Sequence, residues 1–200
     1  MESVNRKKDR TSLIEELERY QPFNEQEEAD RTFILNALRS EPELFLRTSP
    51  AMHMTASGWV VNQTHDRILM AYHNIYDSWS WLGGHADGEE DLSSVALREV
   101  KEESGIEHAV LLSDEPFSLE VLTVDGHEKN DSYVSSHLHL NITYLIEADD
   151  RQALHVRETE NRGVSWFEPA EAVKASSEPW FRERIYAKLN RRLNDAGILK

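Results

Sequence analysis

The spacing of the apolar residues changes near Pro50, and this change limits the chain to a fold with helices first and a sheet afterwards. Before Pro50, apolar residues recur every three or four positions, which is typical of amphipathic helices. We therefore predict helices over residues 11–20 and 24–40, with Thr11 and Asn24 as N-caps. These two helices form a helical N-terminal extension over residues 1–47.

After Pro50, short β-branched and aromatic runs alternate with turn-forming residues, which predicts strands. The predicted strands are 54–61, 67–72, 78–82, 117–124, 136–146 and 164–167, and the predicted helices are 91–104, 169–174 and 178–194. The first two strands are expected to pair, and 117–124 is expected to form a hairpin with 136–146. Because strands and helices follow in mixed order, the fold class is α+β or an α/β/α sandwich, with one domain over residues 48–200.

The composition excludes several classes of function. The chain has 37 acidic and 22 basic residues, so its formal net charge of −15 repels nucleic-acid phosphates, and no nucleic-acid partner is expected. It has no cysteine, which excludes disulfides, thiol catalysis and cysteine-ligated zinc. No apolar run approaches about 18 residues, and the N-terminus is unlike a signal peptide. We expect a cytoplasmic protein with no membrane partner.

The helix predicted over residues 91–104 carries acids on its apolar side. At about 100° per residue, Glu99, Glu102 and Glu103 fall in the same arc as the apolar residues of the preceding turn. Carboxylates at this spacing repel one another, so a core-facing cluster requires a compensating positive charge. A hard divalent cation supplies that charge, and carboxylate oxygens favour Mg²⁺ or Mn²⁺. The alternative is a solvated acidic face.

The residues around these acids match a known motif. Gly84 is followed after five residues by Glu90, and after seven more residues by the segment REVKEESGI, which begins at Arg98. Every fixed position of the Nudix box is present with the correct spacing over residues 84–106, so the chain resembles the Nudix hydrolase family. The resemblance implies a Nudix-type α/β/α sandwich with a mixed sheet.

The resemblance also implies roles for the residues of the box. Mg²⁺ is the implied ion, with Mn²⁺ as the alternative, and Arg98 and Glu90 would orient and support its ligands. The implied metal ligands are three carboxylates and one backbone carbonyl: Glu99, Glu102, Glu103 and Gly84. In this family, water attacks a phosphorus of a nucleoside diphosphate linked to another moiety X, and two phosphate-bearing products result. The identity of X, the preferred nucleotide and the number of metal ions stay open.

Family members also use an acid outside the box, in the loop before a tryptophan-containing strand. Here that loop covers residues 156–163, and Glu160 is the candidate, with Glu158 second. The alternative for Glu160 is an ordinary solvated loop acid.

Several histidines are expected near the same site. Strand alternation puts His137 and His139 on one polar face, which either lines the substrate cavity or faces water. We predict that both of these histidines, together with His85 after the double glycine, contact the substrate. His85 and His53 are similar in position to the histidine metal ligands of the isopentenyl-diphosphate isomerase branch, although those isomerases also use a cysteine, which is missing here. For His53 we expect a capping or surface role.

Three functions follow from these features. The first is a hydrolase acting on a small-molecule nucleoside diphosphate derivative. The alternatives are an isopentenyl-diphosphate isomerase-like enzyme and a non-catalytic nucleotide-sensing Nudix module. The apolar residues of the helical extension either mediate homodimerisation or pack back on their own domain: Leu13, Ile14, Leu17, Phe33 and Leu38. The role of the extension and the oligomeric state stay open.

Overall fold

The computed structural model describes residues 8–75, 77–129 and 132–200. Two helices come first, α1 (Arg10–Arg19) and α2 (Glu25–Ser40). Asn24 caps α2, as predicted, because its side chain accepts a hydrogen bond from the backbone N–H of Glu27.

The predicted N-cap of the first helix is wrong. Asp9, and not Thr11, caps α1, because its carboxylate accepts a hydrogen bond from the backbone N–H of Ser12. The Ser12 hydroxyl in turn accepts a hydrogen bond from the backbone N–H of Asp9. This reciprocal capping box satisfies two backbone donors, and so it starts the helix one residue before Thr11.

The strands begin after Pro50, and eight of those in the described residues form one mixed sheet. In chain order the strands are β1 (Met52–Asn62), β2 (Ile68–His73), β3 (Ser78–Ser80), β4 (Leu82–His85), β5 (Ala109–Leu111), β6 (Ser118–Val124), β7 (His127–Lys129), β8 (Ser132–Val134), β9 (His137–Ala148) and β10 (Asn161–Phe167). The order β10-β2-β1-β9-β5 forms the main path, while β3 pairs with β2, β4 with β1, and β6 with β9. The β1–β9 pair is parallel, and β7 and β8 form a separate hairpin.

The two predicted strand pairings are confirmed. β1 pairs with β2, and β6 pairs with β9 in an antiparallel register that runs from Ser118 opposite Thr143 to Val124 opposite His137. The single strand predicted over residues 78–82 is wrong, because the chain changes partner at Trp81: β3 pairs with β2, whereas β4 pairs with β1.

Helices cover both faces of the sheet. They are α3 (Leu92–Ser104), α4 (Pro169–Ala175) and α5 (Ala187–Asp195), and a π-helical segment, Phe181–Tyr186, leads directly into α5. Ala56 and Val60 of β1 pack with α1, α2 and α3. Trp59 and Val61 point to the other face and pack with α4 and α5. The fold is therefore an α/β/α sandwich of the α+β class with a mixed sheet, preceded by N-terminal helices.

A glycine sets the distance between α3 and the sheet. A Cβ atom at Gly58 in β1 would lie 2.6 Å from Cγ2 of Val100 and 2.9 Å from Cδ1 of Ile146. Any larger residue at this position would push α3 away from β1. Because the end of α3 carries the acids of the box, this contact also fixes their height above the sheet.

The N-terminal helices pack back on their own chain. Leu13, Leu17 and Leu38 are buried in the core that they share with α3, and only Phe33 of the five candidate dimer residues is classed as exposed. A buried ion network also joins α2 to β6 and α5, since Nζ of Lys188 lies 3.0 Å from carboxylate oxygens of both Glu27 and Glu120. Homodimerisation and the domain boundary at residues 47/48 remain predictions. Each helix among the described residues is too short or too polar to cross a membrane.

Candidate active site

The last two turns of α3 carry the acids of the box. Asp91 caps the start of the helix, and Gly105 ends it in the left-handed region at φ 74°, where glycine is favoured. Glu103 lies on the buried face and is 4% exposed. Its Oε2 accepts a 2.9 Å hydrogen bond from the backbone N–H of Gly83 in β4. This bond fixes the buried carboxylate against the sheet.

Glu99 lies one turn earlier, at the edge of the buried face, against the second glycine of β4. A Cβ atom at Gly84 would lie 2.7 Å from Cδ and 2.8 Å from Oε2 of Glu99. Only glycine therefore leaves room for this carboxylate. Nη2 of Arg98 lies 3.2 Å from Oε1 of Glu99 and holds it from the solvent side.

Glu102 does not share the buried arc, which corrects the helical-wheel prediction. Its side chain is exposed, and Nη1 of Arg157 lies 2.9 Å from its Oε2. The buried arc of α3 is centred near Glu103, and Glu102 lies about 100° away from that residue. The three acids therefore do not all point into the core, because Glu103 is buried, Glu99 is partly buried and Glu102 is exposed.

The loop before β10 brings a fourth carboxylate to the same place. Nη1 of Arg157 lies 3.2 Å from Oε2 of Glu160, so one guanidinium bridges Glu160 and Glu102. Asn161 ties the loop to α3, because its Nδ2 donates a 3.0 Å hydrogen bond to the carbonyl of Glu103. Glu158, the second candidate, is exposed.

Burial and nearby carboxylates raise the pKa of Glu99 and Glu103. Burial raises the pKa of Glu103 to about 8, and the nearby charges of Glu99 and Glu160 act in the same direction against the Gly83 hydrogen bond. Burial also raises the pKa of Glu99, with Glu102 and Glu160 adding to the effect. The cluster thus holds more negative charge than its arginines neutralise. A set of carboxylate oxygens with this excess charge fits a hard divalent cation such as Mg²⁺.

Arg98 and Glu90, the two predicted supporting residues, have different partners. Arg98 contacts Glu99, and its Nε lies 3.9 Å from Oε1 of Glu102. Oε2 of Glu90 instead accepts a 3.0 Å hydrogen bond from the backbone N–H of Arg10, the first residue of α1. Both side chains line one cleft together with Ala86, Asp87, Gly88 and Glu89. The role of Glu90 toward the acids remains a prediction.

Four histidines gather where β1, β4 and β9 lie side by side. His53 lies next to His139 in the parallel register of β1 and β9, with ring centroids 4.9 Å apart. The ring of His137 is 4.9 Å from that of His53, and the ring of His85 is 4.8 Å from that of His139. The surface role expected for His53 is wrong, because it is 5% exposed and packed among the other three rings.

The surroundings keep two of these rings uncharged. Burial, together with the other histidines and Arg47, lowers the pKa of His139 to about 2. Burial also lowers the pKa of His53. Neutral imidazoles offer a nitrogen lone pair, so this edge of the sheet can accept hydrogen bonds or bind a cation.

Sequence reasoning missed two arginines of the site. Arg157 holds Glu102 and Glu160, and Arg47 forms a bidentate pair with Asp87, in which Nε and Nη2 lie 2.5 and 2.6 Å from the carboxylate oxygens. The charge of Arg47 acts on Glu99 as well as on His139. Both arginines are single basic residues in loops, where no spacing pattern indicates their partners.

A comparison with protein-family models identifies the family of this chain. The family model described as NUDIX domain matches residues 52–189. The chain belongs to the NUDIX domain family. That match includes every candidate site residue from His53 to Glu160, and it leaves α1 and α2 outside. No curated protein sequence matches the chain.

Solved structures resemble this chain at low sequence identity. A crystal structure of a C. elegans Ap4A hydrolase binary complex is 19% identical, with a TM-score of 0.53, over 71% of this chain and 98% of that chain. A NUDIX-family hydrolase from Clostridium perfringens is 21% identical, with a TM-score of 0.46, over 70% and 97%. E. coli dihydroneopterin triphosphate pyrophosphohydrolase is 14% identical, with a TM-score of 0.49, over 68% and 92%.

Proposed function

We propose that this NUDIX domain is a divalent-cation-dependent pyrophosphohydrolase that cleaves the diphosphate bond of a small nucleoside diphosphate derivative. The observation that carries the proposal is the packing of two carboxylates of α3 against β4: Glu103 is hydrogen-bonded to Gly83, and Glu99 lies against Gly84. Burying an ionised carboxylate is unfavourable unless a positive charge compensates it, so this cluster is suited to a cation.

The chain's own residues supply the ligands in this proposal. Glu99, Glu102 and Glu103, with the backbone carbonyl of Gly84, would hold Mg²⁺, with Mn²⁺ as the alternative. When bound, such an ion lowers the pKa of an attacking water and neutralises charge on a diphosphate. Arg98 positions Glu99, and the Gly83 hydrogen bond positions Glu103.

Attack by water on phosphorus also needs a group that accepts a proton. We assign that role to Glu160, because its carboxylate stands beside Glu102 on the shared guanidinium of Arg157. Asn161 fixes the loop to the end of α3. Glu158, two residues earlier and exposed, is the alternative base.

The substrate side of the proposal rests on the groups around the acids. Arg47, Arg98 and Arg157 bring positive charge to the rim of a strongly acidic chain, where phosphate oxygens can approach. His85, His137 and His139, for which the sequence predicts substrate contacts, are packed together on β4 and β9. A small-molecule substrate in the cytoplasm, and no nucleic-acid partner, complete the proposal.

The test is a substrate panel in the presence of Mg²⁺. It contains ADP-ribose, nucleotide sugars, dinucleoside polyphosphates and oxidised nucleoside triphosphates, with phosphate release followed through a coupled phosphatase. We expect one class to turn over with the wild type and not with Glu103→Gln, which preserves shape and removes the charge. Thermal stabilisation of both proteins by a panel nucleotide, without turnover, would instead indicate the nucleotide-sensing module.

The isomerase-like alternative is kept because of one observation. The rings of His53 and His85, which resemble the ligand positions of that branch, lie 5.0 Å apart. The chain has no cysteine for allylic proton transfer, so we expect no rearrangement of an isoprenoid diphosphate. Incubation with isopentenyl diphosphate, followed by product analysis, separates this alternative from hydrolysis.

A further inference from the structure

The four histidines share one face of the sheet because of the strand register. His53 is paired with His139 across β1 and β9, and His137 is two residues from His139, so all three side chains point to the same side. His85 in β4 is paired with Thr55, two residues from His53. The three ring nitrogens offered by His53, His137 and His139 lie within 4.8 Å of one another.

Backbone carbonyls orient two of these rings. Nδ1 of His53 lies 3.3 Å from the carbonyl oxygen of Ser49, and Nδ1 of His137 lies 2.8 Å from that of Ser135. Because a carbonyl oxygen can only accept, each Nδ1 carries the proton. Each Nε2 is then left with a lone pair. Metal-binding histidines are commonly held in this way, with the second nitrogen bonded to a carbonyl.

One of the lone pairs has no partner among the described residues. Nε2 of His137 lies 3.2 Å from Nε2 of His139, so the lone pair of His137 has a hydrogen-bond partner. Nε2 of His53 is buried and makes no hydrogen bond. A buried polar atom without a partner is unfavourable, and a cation at the centre of the three rings would satisfy it.

We propose that His53, His137 and His139 form a second metal site, selective for a divalent transition metal of the Zn²⁺ type, with His85 at its border. Imidazole nitrogens suit Zn²⁺, whereas Mg²⁺ prefers oxygen ligands. Zn–N bonds of about 2.1 Å in a tetrahedral site place ligand nitrogens about 3.4 Å apart, close to the 3.2 Å between His137 and His139. Three protein nitrogens leave a fourth position open to water or a substrate oxygen.

The proposal goes beyond the hydrolase function and changes the role of the histidines from direct substrate contact to metal binding. The two sites lie on opposite faces of β4, because Gly84 faces Glu99 and the next residue, His85, points to the other side of the sheet. Their ligands differ in kind, with carboxylates in one site and imidazoles in the other. Metal identity and point variants can therefore separate them.

The test uses the full chain, stripped of metal with a chelator and dialysed against Zn²⁺ in the presence of excess Mg²⁺. We expect one retained zinc per chain in the wild type, in Glu103→Gln and in His108→Ala, which removes an exposed histidine elsewhere. We expect at least a tenfold weaker zinc affinity in His137→Ala and His139→Ala. Both positions are partly exposed, so these variants should fold, as circular dichroism would show.

Cobalt gives a second readout that does not depend on activity. Co²⁺ bound to three imidazoles should show visible absorption bands in the wild type and in Glu103→Gln, and these bands should be absent in His53→Gln. Zinc that is lost in Glu103→Gln but kept in the histidine variants would overturn the proposal. So would a wild type that retains no zinc.

Discussion

The backbone N–H of Gly83 and the carboxylate of Glu103 are joined by a 2.9 Å hydrogen bond, which ties the last turn of α3 to β4. The bond brings an ionisable group into a site that is almost closed to solvent. Because burial raises its pKa, this carboxylate is unfavourable for folding when it is ionised and no cation is bound. The metal-binding role proposed for Glu103 therefore opposes the stability of the metal-free chain.

The stability of the metal-free protein should decrease as the pH rises. The pKa of Glu103 is raised from 4.5 to about 8, so the folded state binds this proton more tightly than the unfolded chain. The resulting stabilisation is complete below pH 4.5 and is lost as the pH rises through 8. We expect the melting temperature of chelator-treated protein, measured by calorimetry, to fall across this interval. Glu103→Gln should show a smaller fall, and equal slopes would contradict the assignment.

Replacing Gly84 by alanine should displace a proposed metal ligand. The new Cβ would lie 2.7 Å from Cδ of Glu99, so that carboxylate must move. Loss of ligand alignment should lower kcat/KM by about tenfold or more, in the range found when the supports of metal ligands are removed. Gly163→Ala is the matched control, because its new Cβ atom would lie 3.2 Å from its nearest neighbour, a ring atom of Trp79. Equal activity of the two variants would rule out the close contact at Gly84.

The loop acid can be identified by a pair of conservative variants. Glu160→Gln keeps the shape of the side chain and removes the carboxylate that lies 3.2 Å from Arg157. We expect kcat to fall by about a hundredfold, as is typical when a general base is lost. Glu158→Gln, in the same loop and exposed, should retain wild-type kcat. The reverse pattern would assign the role to Glu158.

The buried lysine of the ion network should be essential for stability. Lys188 lies 3.0 Å from carboxylates of Glu27 and Glu120, and its removal leaves both acids buried without it. Burial raises the pKa of Glu27, but Lys188 and the surrounding donors outweigh that effect and lower it. We expect Lys188→Met to lose about 3–5 kcal/mol of unfolding free energy in urea. Arg192→Met, at a more exposed position of the network, should lose less, and adding Glu120→Gln should restore part of the loss.

Local patterns in the sequence were sufficient for much of the fold. The helical spacing and the box predicted α3, and period-two runs predicted the β1–β2 and β6–β9 pairs, because each signal lies within one element. Strands of three residues, such as β5, β7 and β8, are too short to show a period. The break at Trp81 depends on which strand lies alongside, and that information is not local.

The site was predictable only in part for the same reason. The glutamates of α3 were found from their spacing, but the exposed position of Glu102 depends on where β4 meets the helix. His53 was expected at the surface, and it is buried because the parallel register of β1 and β9 places it beside His139. Arg157 belongs to the site because the loop before β10 folds against α3, and no local sequence pattern indicates that contact.

The most direct test of the proposed chemistry is to locate the oxygen that water contributes. The substrate class selected by the panel is hydrolysed in ¹⁸O-water with Mg²⁺, and both products are analysed by mass spectrometry and phosphorus NMR. We predict that label enters the phosphate of one product only, and that label and turnover are both lost in Glu103→Gln. Products without label, or a rearranged substrate with an intact diphosphate, would contradict water attack on phosphorus.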